Sequence, residues 1–177
     1  IEMMRQIVEL KNPGLAATEK DAVARQVGIG AVIFNDLAND RVKNVDFDWD
    51  RVLSFEGDSG PYVQYMNVRC LSMMRKYGKP IPKEMPAVLA TEWEKELIRL
   101  LMNFEDVLSG AFRQFKPHVL AGYLLDVCQA FGQFYHHCRV LGEAPDVEQS
   151  RMALIYCTHQ VLEKGLKVLS IESPQAM

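Results

Sequence analysis

The chain has little that marks a reactive centre. Only 4 of its 177 residues are cysteine, at Cys70, Cys128, Cys138 and Cys157. They form no C-x-x-C pair and no regular framework, so they are expected to be the reduced thiols of a cytoplasmic protein rather than a disulfide scaffold. No run of about 18 consecutive apolar residues is present, so no membrane-spanning segment is expected. Neither sign of charge dominates: 20 basic residues face 23 acidic ones, a net charge of −3, which on the whole-chain scale argues against a polyanionic partner. There is no basic-then-apolar leader, and the chain opens on Ile1 rather than Met, so it is expected to be a piece of a longer protein.

What is present is apolar material in helical spacing. Hydrophobic residues make up 49% of the chain, enough for a packed core and too much for a disordered tail. Thr18, followed by Glu19-Lys20-Asp21, reads as a helix start. Val23, Val27, Ala31, Phe34 and Leu37 continue that helix, though Gly28 and Gly30 should each weaken it by roughly 1 kcal/mol. From 39 to 60 the period breaks into a loop expected to be pinned by Phe47, Trp49 and Phe55. Pro61 should start a helix running to Tyr77-Gly78. Residues 79–86, with three prolines, read as a linker. Thr91-Glu92-Trp93-Glu94 is a capping box, opening one helix whose apolar face runs from Trp93 through Leu97, Leu101 and Leu108 to Phe115. Lys116-Pro117 starts the next helix, which Gly142 closes, and Pro145-Asp146 opens the last. Short breaks between helical runs predict an all-α bundle of antiparallel neighbours.

Several candidate sites fail on their own chemistry. Asp46-x-Asp48-x-Asp50 begins like a calcium loop, but its sixth position is Arg51 where glycine is needed, and its twelfth is Gly57 where a bidentate glutamate is needed. His136-His137-Cys138 cannot share one ion well, because adjacent helical residues point about 100° apart. His159 has no evident metal partner, so no metal site is expected. Gly28-x-Gly30 lacks the third glycine and the preceding strand of a phosphate loop. A thiol- or metal-dependent hydrolase has only a nominal Cys/His pairing behind it, and no catalytic residue is assigned.

One constellation stands out. Tyr62, Tyr65, Arg69 and Ser72 lie at i, i+3, i+7 and i+10 on one helical face. Two rings and a guanidinium on a single stripe suit stacking on unpaired bases and pairing with phosphate. From Gly60 to Lys83 the chain carries Arg69, Arg75, Lys76, Lys79 and Lys83 and no acid, a local charge of +5. The alternative is that both rings pack in the core while Arg69 caps a neighbouring helix. Spacing alone leaves the two readings open.

The run Gly28-Ile-Gly-Ala-Val-Ile-Phe-Asn-Asp-Leu37, then Asp48-Trp-Asp50, then Phe55-Glu-Gly-Asp-Ser-Gly-Pro-Tyr-Val-Gln-Tyr65 with Arg69, resembles the C-terminal part of arginyl-tRNA synthetases. Pro117-His118, Tyr123-Leu124, Phe134-Tyr135 and the closing Ile171-Glu172-x-Pro174-x-x-Met177 follow in the family's order. The resemblance implies a class I synthetase whose core activates arginine with ATP and magnesium, and whose helical DALR module grips the anticodon arm. The core's H-x-G-H-type and K-M-S-K-S-like motifs are not in this sequence. This piece is therefore expected to hold no cofactor and to be inactive alone, with 1–59 leading out of the catalytic core and 60–177 forming the anticodon-binding module. By position, the resemblance assigns tRNA contacts to Tyr62, Tyr65, Arg69, Tyr135 and Met177; the local basic charge adds Arg75 and Lys76, behind Arg69, as expected supporting phosphate contacts. The sequence departs from the family at Arg139, where some relatives carry tryptophan, and at Gln175-Ala176, where relatives often carry Glu-Arg. The implied partners are an arginine-accepting tRNA and the upstream catalytic domain, in a cytoplasmic monomer without membrane contact. The competing function is a helical protein-interaction module that binds no RNA.

Overall fold

The structure, a computed structural model, describes residues 1–81 and 88–177. The described residues form eight helices and no strand: α1 (Glu2–Lys11), α2 (Ala17–Leu37), α3 (Trp49–Val52), α4 (Gly60–Tyr77), α5 (Glu92–Met102), α6 (Phe104–Gln114), α7 (Pro117–His137) and α8 (Pro145–Val168). The all-α expectation holds. Most of the linker expected over 79–86, including Lys83, lies outside the described residues.

α4 begins and ends where its local chemistry dictates. Ser59 caps it, its Oγ accepting from the Tyr62 N–H at 3.1 Å, and Gly78 stops it with φ 64°, a left-handed turn that glycine adopts without strain. Thr91 caps α5 as the capping box requires: its hydroxyl accepts from the Glu94 N–H, and the Glu94 carboxylate accepts from the Thr91 N–H at 2.8 Å.

Other boundaries move. α1 was not anticipated, because Pro13 and Gly14 cut it short before a long period develops. α2 starts two residues earlier than Thr18 implies: Ala16 is the cap residue, and Glu19 reaches back to accept from its N–H at 3.1 Å. The single helix expected from Trp93 to Phe115 is two. Asn103 ends α5 and starts α6, so both helices can lie against α7, and the Leu100 carbonyl at the break accepts from Tyr123 Oη at 2.8 Å. Trp93 is 41% exposed rather than core-facing and stacks on His137 with centroids 4.5 Å apart. Phe115, at the left-handed C-cap of α6, is also exposed. α7 ends at His137, before Gly142.

Two hydrophobic clusters organise the chain. The larger is built from α4, α5, α7 and α8 around Phe131, Phe134, Leu124 and Leu162. The smaller gathers Met4 and Val8 of α1, Val23, Val27 and Ala31 of α2, and Val52 and Leu53. Val52 and Leu53 pin the 39–60 loop, and of the three expected aromatics Phe55 packs half-buried against the same cluster, while Phe47 and Trp49 pack edge-on against each other and remain 48% exposed. Helix α2 joins the clusters, with Val27 in one and Phe34 in the other. Lys20 is buried at their edge, its ammonium held by Glu9 at 2.8 Å and the Pro13 carbonyl at 2.9 Å, which ties α1 to α2.

The glycines that count against α2 have a packing role. A Cβ on Gly60 would lie 2.7 Å from Phe34 Cβ and 2.9 Å from the Gly30 carbonyl oxygen. The α2 and α4 backbones thus touch at Gly30 and Gly60, and that contact sets the position of the helix carrying the aromatic stripe.

Candidate nucleic-acid interface

The stripe on α4 faces out of the bundle at one side. Tyr62 is half-buried against the larger core, and burial pushes its hydroxyl pKa up, with Cys128 adding to the rise and Arg69 opposing it. Tyr65, one turn on, is 36% exposed. The Arg69 guanidinium lies 3.9 Å from the Tyr135 ring centroid and 6.0 Å from that of Tyr65, within cation–π range of both. Arg69 therefore caps no neighbouring helix; α7 supplies the ring it rests on. Tyr135 is held in turn by an Oη–Met73 Sδ contact of 3.7 Å.

Tyr62, Tyr65, Arg69 and Met177 line one cleft of about 520 Å³ together with Lys11 and Phe55. The rings and cations are only partly buried, and their open faces can receive a planar group and an anion.

The buried side of α4 fixes the C-terminal tail. Gln64 Nε2 donates to the Glu172 carbonyl at 2.6 Å and to the Gln26 carbonyl at 3.3 Å. Both partners are acceptors, so the amide must face them through its nitrogen, and Gln64 Oε1 has no partner among the described residues. Asn67 Nδ2 donates to Ser173 Oγ at 2.9 Å. The Arg75 guanidinium donates to the Gln175 carbonyl at 3.0 Å; its place on the helix is turned about 120° from Arg69. These bonds run the tail alongside α4 and bring Met177 to the cleft. Lys76, seven residues past Arg69 and on its face, is exposed.

The network ends at His159. Asn67 Oδ1 lies 2.7 Å from His159 Nδ1, so Nδ1 carries the proton when Asn67 donates to Ser173. Burial pushes the His159 pKa below its ordinary 6.5, with Glu163, 3.7 Å away, opposing the shift. The unfolded chain therefore takes up this proton more readily than the folded one. Stability from this group is complete above about 6.5 and declines as pH falls towards the lowered folded value. Urea unfolding midpoints should drop over that interval, and His159→Gln should remove the part of the drop due to this group; an identical pH profile in the variant would refute the linkage.

The remaining reactive residues show no catalytic grouping among the described residues. His137 stacks on Trp93 with His136 edge-on to it. Cys70, Cys128 and Cys138 are buried, and burial pushes the Cys70, Cys128 and Cys157 thiols up, away from the thiolate a nucleophile needs. Among the described residues no three His, Cys, Asp or Glu side chains are grouped to hold a metal ion, and no helix is long and apolar enough to cross a membrane. Arg139 folds back, its Nε donating to the Leu141 carbonyl at 3.1 Å.

The sequence reading missed Lys11 because α1 itself was not recognised. Gln64 and Asn67 did leave a signal: amides three apart on a face otherwise occupied by Val63, Cys70 and Val68.

Residues 63–177 match the profile of the DALR anticodon binding domain family. Over 178 residues the chain is 37% identical to an arginine–tRNA ligase of Clostridioides difficile (strain 630), and over 177 residues 40% identical to arginine–tRNA ligase 2 of Bacillus anthracis; all of this chain aligns with 31% of each relative. The chain thus spans about a third of the length of these curated relatives. Its fold superimposes on an arginyl-tRNA synthetase from Thermus thermophilus with a TM-score of 0.93 at 34% identity, covering 99% of this chain and 30% of the other. A Plasmodium falciparum arginyl-tRNA synthetase shares the fold with a TM-score of 0.86 at 22% identity, covering 98% of this chain and 31% of that one.

Proposed function

Since the chain belongs to the DALR anticodon binding domain family, we propose that it grips the anticodon loop of an arginine-accepting tRNA for a larger arginine–tRNA ligase. The observation that carries this reading is the Arg69 guanidinium on the Tyr135 ring, beside Tyr65 and at the mouth of the cleft that Met177 closes. Splayed bases stack on Tyr65 and Tyr135, the half-buried Tyr62 forms the floor, and Met177 packs apolar surface against a base. Arg69 meets the phosphates, with Lys76 further along the same face. Arg75 acts indirectly, by holding the tail that presents Met177. The module contributes binding and positioning, while the whole protein would use ATP and magnesium in a catalytic domain joined to it. We place the start of the module at residue 60, with 1–59 linking it to that domain, in a cytoplasmic monomer.

Titration of labelled arginine tRNA against a non-cognate tRNA, read by anisotropy at two salt concentrations, tests the proposal. Cognate binding should be tighter and should weaken as salt rises. Tyr65→Ala should lower affinity by about 1–2 kcal/mol, the worth of one stacked base, with the helical CD spectrum unchanged. No discrimination between tRNAs, or unaltered affinity in the variant, would instead favour a module that binds protein.

A further inference from the structure

We propose that Lys11 is a phosphate-binding residue of the same cleft, holding the single-stranded RNA backbone together with Arg69. This rests on the reading of the cleft as the RNA site and extends it to a helix outside the matched residues 63–177.

Lys11 is the last residue of α1 and lines the cleft together with Tyr62, Tyr65 and Arg69. Its ammonium stands 5.4 Å from the Phe55 ring centroid, a cation–π contact that holds the charge at the cleft wall. Two other cations of the first two helices are paired, Arg5 with Asp21 at 2.7 Å and Lys20 with Glu9 at 2.8 Å. Among the described residues no carboxylate lies within the 4.0 Å of an ion pair from either Lys11 or Arg69. Glu56 is, among the described residues, the one acidic side chain of the lining, beside the two basic side chains Lys11 and Arg69. Two cations from separate helices lining one cleft suit a strand whose phosphates they hold while its base turns in to the rings.

A competing role must be separated. A lysine in the last turn of a helix also offsets the partial negative charge of that terminus, and α1 ends on Lys11 with the Asn12 N–H already bonded to the Val8 carbonyl at 2.8 Å. That role stabilises the helix and leaves RNA affinity alone.

The test uses the whole 177-residue chain and an RNA hairpin carrying the anticodon loop of an arginine tRNA, with Lys11→Gln, Lys11→Arg and Tyr65→Ala compared. Lys11→Gln should weaken binding roughly twofold to fivefold at low salt, the scale of an exposed ion pair. It should also flatten the slope of log affinity against log salt by about 0.7, one phosphate of a single strand. Lys11→Arg should retain both, and Tm should be unchanged in each. If Lys11→Gln leaves affinity and slope untouched while Tyr65→Ala weakens binding, Lys11 is not a phosphate ligand and the RNA reading survives. A lowered Tm with an unchanged slope assigns Lys11 to the helix end and overturns the proposal. If neither Lys11→Gln nor Tyr65→Ala alters binding, the RNA site itself is wrong.

Discussion

Arg69→Ala should weaken binding of the arginine tRNA anticodon loop by about 2 kcal/mol, roughly thirtyfold, the scale of a hydrogen bond to a charged group. The residue acts twice. Its guanidinium pairs with phosphate, and its place 3.9 Å from the Tyr135 ring centroid orders that ring for a base. Removing it costs the ion contact and loosens the stacking platform together, so the loss should exceed that of Tyr65→Ala. Arg69→Lys should recover only part of it, because an ammonium keeps the charge but not the planar face against Tyr135. The fold should survive: Arg69 has no carboxylate within 4.0 Å among the described residues, and the core beneath it is Val63, Cys70 and Met66. CD and Tm should match the parent protein. Undiminished affinity in a folded Arg69→Ala protein would remove this face of α4 from the RNA site.

Arg151→Ala should destabilise the fold by about 3 kcal/mol, as expected when one partner of a buried ion pair is deleted. Glu94 is 1% exposed and carries the start of α5. Its carboxylate accepts from Ala90 N, Thr91 N and Thr91 Oγ1 at 2.9, 2.8 and 2.9 Å, and from Arg151 Nε at 2.6 Å. Arg151 also donates to the Arg139 carbonyl, so one guanidinium on α8 fastens both the start of α5 and the end of the α7 connection. Burial pushes the Glu94 carboxyl up, but the bonds from Arg151, Thr91 and Ala90 together hold it below its ordinary 4.5. Stability from this group is therefore complete above about 4.5 and lost as pH falls through the lowered folded value. Without Arg151, burial opposes fewer bonds and the folded pKa rises, so the acid-dependent part of the stability should be smaller and the variant's stability should fall less between neutral and acid pH. Urea unfolding of both proteins at neutral and acid pH reads this directly. A deficit under about 1 kcal/mol at neutral pH would show that the three remaining hydrogen bonds suffice.

The parts of the site legible in the sequence are those made by neighbours along the chain. Tyr62, Tyr65 and Arg69 are on one face because helical spacing puts them there, and α4 has the expected limits because Ser59, Pro61 and Gly78 act within a turn of themselves. What was misread depended on distant partners. The Trp93 run looks like one helix, yet it breaks at Asn103, where α7 offers both halves a surface and the Leu100 carbonyl accepts from Tyr123 Oη as well as from the Asn103 N–H. Arg75 and Arg69 look alike in a local charge count. One is turned to the tail carbonyl of Gln175 and the other to Tyr135, and only the packing of the tail and of α7 against α4 distinguishes them.

The sequence by itself determined an all-helical chain, the capped limits of α4, the capping box of α5 and the aromatic, basic stripe, because each follows from contacts within a few residues. Tertiary structure alone decided that Arg69 rests on Tyr135, that amides on the hidden side of α4 bring Met177 to the cleft, and that Lys11 from an unforeseen helix lines the same cleft. Those pairings join residues far apart in the chain. They depend on the close α2–α4 crossing at Gly30 and Gly60, on α7 packing beside α4, and on the two cores that α2 ties together.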